Sequence, residues 1–272
     1  MSPEDFDRLQ SLMATRAGYR LTRDRMKLAE HRLGPVARRE GFESVDAMLS
    51  ALWARPVASL GWAVIETLLN PETWFRRDRA TFETLSGELL PALVRARAGQ
   101  PIRIWSAGCS TGQEVWSIGM AALEVGAPVE IVATDLSQRA LEKARAGAYT
   151  GFEIQRGLKA GTMLRWFDQA EDAWIARAEL RALAHFARAN LLTPPTAEEP
   201  RFDLIFCRHV LDDMEAGVRG QTLDLLERRL VDDGCLFLGA GERIGGDSLA
   251  FRPVAGRQGL FVKSPAALKR AA

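Results

Sequence analysis

The chain has 272 residues, 47% of them hydrophobic and 26% charged, with a net charge of +1. That length holds one large α/β domain beside a small helical one, and the composition excludes disordered and fibrous classes. No apolar run reaches membrane-spanning length, and the opening MSPEDFDRLQ lacks a basic-then-apolar signal. Three cysteines (Cys109, Cys207, Cys235) without CxxC spacing read as buried thiols, so a cytoplasmic protein that does not insert into membranes is expected.

Residues 1–70 carry helical periodicity and no strand-like alternation. Ser2-Pro3-Glu4-Asp5 supplies an N-cap, a first-turn proline and acids at the positive end of the helix dipole. Phe6, Leu9, Leu12 and Met13 mark one face, and Gly18 ends the helix. Thr22 is expected to cap a second helix and Ser44 a third, while Pro56 interrupts before a fourth carrying Leu60, Val64 and Leu68. Between Arg16 and Arg39 lie eight basic residues (Arg16, Arg20, Arg23, Arg25, Lys27, Arg32, Arg38, Arg39) against Asp24 and Glu30, a local net of +6. Such a face is either simply solvated or meets an acidic partner.

Strands and helices alternate from residue 101 onward. Strands are expected at Ile102–Ser106, Glu130–Thr134, Phe202–Cys207 and Cys235–Gly239, and helices at Glu114–Val125, Leu136–Ala146 and Gly220–Leu230. Segments near Leu249–Val254 and Gly259–Lys263 read as a closing antiparallel hairpin, Asp232-Asp233-Gly234 as a turn, and Thr193–Pro200 as a loop. This pattern is a doubly wound, mainly parallel sheet. The expected division is a helical domain over 1–70, a linker and connecting helix over 71–100, and an α/β domain over 101–272.

SAGCSTG (106–112) lies in the first strand–helix turn, where Gly108 and Gly112 let backbone approach a ligand. It is not GxGxxG. Asp135 ends the second strand 23 residues after Gly112, where a carboxylate receives ribose hydroxyls or, more plainly, caps the next helix together with Ser137. Turn and aspartate together favour an adenosine-containing cofactor, and the terminal hairpin favours S-adenosylmethionine over nicotinamide by analogy of fold.

IRIWSAGCSTGQEVWSIGM (102–120) resembles the cofactor loop of CheR-type chemotaxis receptor methyltransferases, usually WSAGCSTGQEPYSLAM. PETWFRRD (71–78), ATDLSQRALEKARAGAY (133–149), ANLL (189–192), FDLIFCRHVL (202–211) and LFLGAGERIGG (236–246) follow in the family's order, and GYRLTRDRMKLAEHRL (18–33) fits its helical N-terminal part. The resemblance implies a class I S-adenosylmethionine-dependent methyltransferase fold: a Rossmann-like, mainly parallel α/β sheet with an antiparallel C-terminal hairpin, a helical N-terminal domain and a small β-subdomain at about 164–189. It also implies methyl transfer to glutamate carboxylates of chemoreceptors in chemotaxis adaptation, leaving S-adenosylhomocysteine. Thr73 and Arg77 would reach the methionine part and the methyl-transfer centre, with Arg77 catalytic. Gly108 would let the loop approach, Glu114 would bind the amino group, and Asp135 the ribose. Asn190 and Leu191 would border the adenine, and Arg208 and His209 the sulfonium. The basic second helix (Arg20, Arg23, Lys27) would meet glutamate-rich receptor helices.

The chain departs from the family in four places. FFRD is FRRD, placing Arg76 where an aromatic is usual, and Pro71 stands where asparagine is usual. CRNVLIYF is CRHVLDDM, placing His209 for asparagine and Asp213 for tyrosine, and Val115-Trp116 replace Pro-Tyr. An Arg76–Asp213 pair would explain two of these at once. The departures are also what a weakened, cofactor-binding regulatory protein of the same fold, or a methyltransferase for another substrate, would carry. The short DQAEDAWIARAELRALAHF segment lacks a glycine-rich loop, so no docking of a receptor C-terminal pentapeptide is expected. Few aromatics interleave the basic cluster and no NPPY-like signature follows FDLIF, so a nucleic-acid partner is not expected.

Overall fold

Ser2 caps the first helix by accepting from the Asp5 N–H at 3.1 Å, Pro3 occupies its first turn, and Gly18 ends it at φ 62°. The computed structural model describes residues 1–55, 57–194 and 200–265; Pro56 and residues 195–199 of the expected loop lie outside them. Two units are present: Met1–Asn70 with Asp213–Val218, and Pro71–Asp212 with Arg219–Ala272.

The first unit contains α1 (Pro3–Ala17), α2 (Met26–Arg39), α3 (Val45–Ala54) and α4 (Ala58–Leu68). Phe6, Leu9, Met13, Leu33, Met48, Leu49 and Val64 are buried along their apolar faces. Ser44 caps α3 through the Ala47 N–H. Thr22 does not cap α2: it precedes a 3₁₀ turn, Arg23–Arg25, makes no capping bond, and α2 begins at Met26. Asp213 lies 3.8 Å from the Arg25 guanidinium and accepts from Asn70 Nδ2 at 3.4 Å. Arg25 also donates to the Tyr19 hydroxyl, and the Arg20 N–H to the Asp213 carbonyl.

The second unit opens with α5 (Arg79–Thr84), a turn of π-helix (Leu85–Leu89) and α6 (Leu90–Ala96). Then come β1 (Ile102–Ala107), α7 (Gln113–Val125), β2 (Val129–Asp135), α8 (Gln138–Ala146), β3 (Ala148–Thr150), α9 (Gly151–Gln155) and α10 (Ala160–Trp166). β4 (Phe167–Ala170), β5 (Ala173–Ala176), α11 (Ala178–Arg181), β6 (Ala184–Arg188) and β7 (Phe202–Phe206) follow. The unit closes with α12 (Ala216–Arg229), which enters it at Arg219, and with β8 (Leu230–Phe237), β9 (Phe251–Pro253) and β10 (Leu260–Lys263).

The large sheet runs β6-β2-β1-β7-β8-β10-β9. β6 through β8 pair in parallel, and β10 and β9 close it antiparallel. This is the doubly wound, mainly parallel sheet expected from the alternating pattern, with the antiparallel closing hairpin of the class I methyltransferase fold that the resemblance implies. β1 and β7 are almost wholly buried between helical layers, which explains their continuous apolar runs. The one acid inside β7, Asp203, is satisfied: Arg97 Nε donates at 2.5 Å and the Arg103 N–H at 2.7 Å. The sheet order reverses between β1 and β7, which places the crevice for a ligand at their C-terminal ends.

Two details differ from expectation. Asp232-Asp233-Gly234 is no interstrand turn but lies inside β8, where the register with β7 jumps from Phe202↔Leu230 to Leu204↔Cys235. A Cβ at Gly234 would stand 2.9 Å from the Asp203 carbonyl oxygen, a backbone atom, so the irregularity favours glycine. The small sheet is β3-β5-β4 and begins at Ala148; β6, within the stretch read as β-subdomain, pairs with β2 instead and satisfies that strand's outer edge.

Candidate active site

The turn after β1 bends at Gly108 (φ 85°), Ser110 (φ 47°) and Gly112 (φ 92°). The Gly108 and Cys109 N–H groups both donate to the Thr134 carbonyl at the end of β2. A Cβ at Gly108 would come within 2.7 Å of Val210, and one at Gly112 within 2.9 Å of Ala144, so neither position admits a side chain. Val115 and Trp116 fill the core of α7, and the indole N–H of Trp116 donates to the Tyr149 hydroxyl at 2.7 Å. Cys109 is buried in this loop, and burial, reinforced by Asp135 and Glu114, pushes its thiol well up, leaving it protonated and inert.

Two carboxylates frame the turn. Glu114, in the first turn of α7, accepts from Ser106 Oγ at 2.7 Å and from Arg208 Nη1 at 2.9 Å. Asp135 accepts from the Ser110 and Ser137 N–H groups, each at 2.8 Å, while the Ser137 hydroxyl performs the cap of α8. The aspartate therefore braces the loop, and the capping role falls to serine. An amino group and a ribose diol are both donors, so this pair of oriented acceptors fits S-adenosylmethionine. Asn190 and Leu191 follow β6, half-buried, and Asn190 Oδ1 accepts from the Leu192 N–H at 3.0 Å.

Arg208 organises the centre. Its side chain is 2% exposed, and it donates to Glu114, to Asp78 Oδ2 at 2.8 Å and to the Arg77 carbonyl at 2.6 Å. Three acceptors compensate the buried guanidinium, as a charge removed from water requires. Asp78 also accepts from the Ala240 N–H at 3.0 Å and lies 2.8 Å from His209 Nε2. Burial opposes the charge on Asp78, yet Ala240, His209 and Arg208 together outweigh it and hold the carboxyl below its ordinary range.

His209 takes φ 58°, a conformation in which asparagine, aspartate and histidine are enriched, so histidine serves where the family has asparagine. Its N–H donates to Glu242 Oε2 at 2.6 Å, as does that of Gly239; the Asp212 N–H reaches the other oxygen at 3.2 Å. Asp78 and Glu242 are thus central to the site although neither is singled out by sequence reasoning; the only available signals are an acid closing FRRD and one inside GERIGG.

On the segment before α5, Thr73 is half-buried and Arg77 stacks on Trp74, its guanidinium carbon 4.2 Å from the ring centroid. Arg77 Nη1 donates to the Glu72 carbonyl at 2.9 Å. Burial lowers its pKa, opposed by Asp78 and Glu72, and an arginine so lowered remains a cation. Arg76 binds Glu124 at 2.8 Å, and its N–H donates to Ser117 Oγ. Each charged departure therefore has a partner within its own unit: Glu124 for Arg76, Arg25 and Asn70 for Asp213. Neither charge therefore needs the other for a partner. At Pro71 the carbonyl accepts from Ser110 Oγ, tying this segment to the cofactor turn.

The model of the CheR methyltransferase SAM-binding domain matches residues 71–260, so S-adenosylmethionine is the cofactor. The chain is 33% identical over 253 residues to "Chemotaxis protein methyltransferase Cher2" of Pseudomonas putida, covering 89% of this chain and 91% of that one. It is 33% identical over 249 residues to "Chemotaxis protein methyltransferase 1" of Pseudomonas aeruginosa, covering 88% and 90%. It is also 35% identical over 196 residues to "Probable biofilm formation methyltransferase WspC" of P. aeruginosa, covering 70% of this chain and 46% of that one. The chain belongs to the CheR methyltransferase family.

Proposed function

We propose that the chain transfers a methyl group to glutamate side-chain carboxylates of chemoreceptors, giving methyl esters, in the cytoplasm. The observation that carries this reading is the double tie of Arg208: one guanidinium holds both Glu114, on the cofactor side, and the Arg77 carbonyl, on the acceptor side. A shift in one half is thereby felt in the other, which suits a reaction that depends on alignment.

When bound, S-adenosylmethionine supplies a methyl group on a sulfonium that needs no further activation. Glu114 receives its amino group, Asp135 its ribose hydroxyls, and Asn190 and Leu191 border its adenine, with Gly108 permitting close backbone approach. Arg208 acts by holding Glu114, and His209 by holding Asp78, beside the reacting centre, with Thr73 nearby. A glutamate acceptor is ionised above pH ~4.3, so no residue must remove its proton. Arg77 orients that carboxylate by paired N–H donation. The exposed Arg20, Arg23 and Lys27 present a positive face to glutamate-rich receptor helices. No docking of a receptor C-terminal pentapeptide is proposed, nor of nucleic acid. Among the described residues no helix is long and apolar enough to cross a membrane.

Mass spectrometry of receptor peptides after incubation with the enzyme and cofactor tests the substrate. Added methyl on glutamate alone supports the reading, and methyl on any other side chain removes it.

A further inference from the structure

Arg156 is brought beside the acceptor-side segment by a glycine that admits no substitute. Gly157 has φ 111°, and a Cβ there would stand 1.9 Å from the Phe75 carbonyl oxygen. Only glycine lets this stretch pass so close to residues 71–78. The Arg156 guanidinium consequently lies 4.2 Å from the Trp74 ring centroid, the same separation as that of Arg77. Its Nη2 donates to Glu72 Oε1 at 2.8 Å.

Glu72 therefore faces both arginines at once. Its carbonyl anchors Arg77, while its carboxylate is engaged by Arg156. Arg77 also acts on that carboxyl electrostatically, lowering its pKa after the larger effect of Arg156, so the two are within each other's field. A Glu72 carboxylate released from Arg156 has Arg77 as a neighbouring cation. Turned there, it would take the donors a substrate needs and repel an arriving carboxylate.

We propose that Arg156 is a positioning residue that holds the Glu72 carboxylate off Arg77, keeping the Arg77 guanidinium open to the acceptor glutamate. The proposal rests on the reading of Arg77 as the acceptor-binding group.

Acceptor KM and kcat, with S-adenosylhomocysteine affinity by calorimetry, test it in Arg156→Ala, Arg156→Lys, Glu72→Gln, Glu72→Gln/Arg156→Ala and Arg77→Ala. Arg156→Ala is expected to raise acceptor KM about tenfold with cofactor affinity unchanged, equivalent to about 1.4 kcal/mol. Arg156→Lys keeps the pair and most of the wild-type KM. The double variant should return to within about twofold of wild type, because the competing carboxylate is gone. A double variant as impaired as Arg156→Ala, or an Arg156→Ala protein with unchanged acceptor KM, overturns the proposal while leaving the function intact. An Arg77→Ala protein with wild-type acceptor kinetics overturns both.

Discussion

The turn at 106–112 and the segment at 71–78 both bend sharply, but by different means. The turn bends mostly at glycines, and its backbone is held by the Thr134 carbonyl, the Asp135 carboxylate and the Tyr149 hydroxyl. The segment bends at Arg76 (φ 50°), which adopts that conformation at a cost, and at Asp78 (φ 59°), a residue type enriched there. Its strain is offset by partners remote in sequence: Ser117 and Glu124 on Arg76, Arg208, His209 and Ala240 on Asp78. The turn thus gets its bend mainly from glycine, while the 71–78 segment bends at residues with side chains that the rest of the domain holds in place. Substitutions in the first should impair cofactor binding; those in the second should impair acceptor methylation with the cofactor still bound.

The largest separation is expected for Arg77→Ala, with acceptor kcat/KM falling by about 10²–10³ and S-adenosylhomocysteine affinity within a few-fold of wild type. An equal loss of both would erase the distinction drawn here. Glu114→Ala should behave in the opposite sense. It removes the proposed acceptor for the cofactor's amino group and leaves buried Arg208 short of a partner, costing about 3 kcal/mol in urea unfolding and weakening cofactor binding. Gly157→Ala forces a methyl group against the Phe75 carbonyl at a φ alanine avoids. A destabilisation of about 1–3 kcal/mol is expected, with acceptor methylation reduced more than cofactor binding.

A subtler effect is the pH dependence carried by Asp78. Its folded pKa is depressed, so its stabilising contribution is complete above the ordinary carboxylate value near pH ~4 and is lost as pH falls through the folded value. Asp78→Asn should flatten the acid limb of the stability curve in that window, and an unchanged limb would show that Arg208 and His209 do not depend on the charge. Smallest of all is Arg76→Ala. It removes a half-exposed ion pair with Glu124 and should cost under ~1 kcal/mol with little change in activity.

Much of the architecture was readable because its signals are local. FDLIF reads as a buried strand, Ser2 and Ser44 sit at caps, and Gly108, Gly112 and Asp135 stand at the C-terminal strand ends, where a doubly wound sheet opens its crevice. Thr22 misled because a 3₁₀ turn intervenes before α2, and Asp232-Asp233-Gly234 because a turn-like sequence was absorbed as an irregularity within β8. β6 falls within the stretch that the resemblance assigns to the β-subdomain, and nothing in its sequence says that it joins β2 instead. Asp78 and Glu242 went unnoticed since their meaning lies in contacts spanning more than thirty residues, and for Asp78 more than a hundred. Arg76 and Asp213 invite a pairing argument from charge alone, and the sequence does not show that each has a partner in its own unit.

The most direct test of the central claim is incubation of the protein with radiolabelled S-adenosylmethionine and chemoreceptor-containing membranes from the organism that encodes it, scoring methanol released by alkali. Base-labile label well above an Arg77→Ala control is expected. No such label, from protein that binds S-adenosylhomocysteine normally, would contradict it.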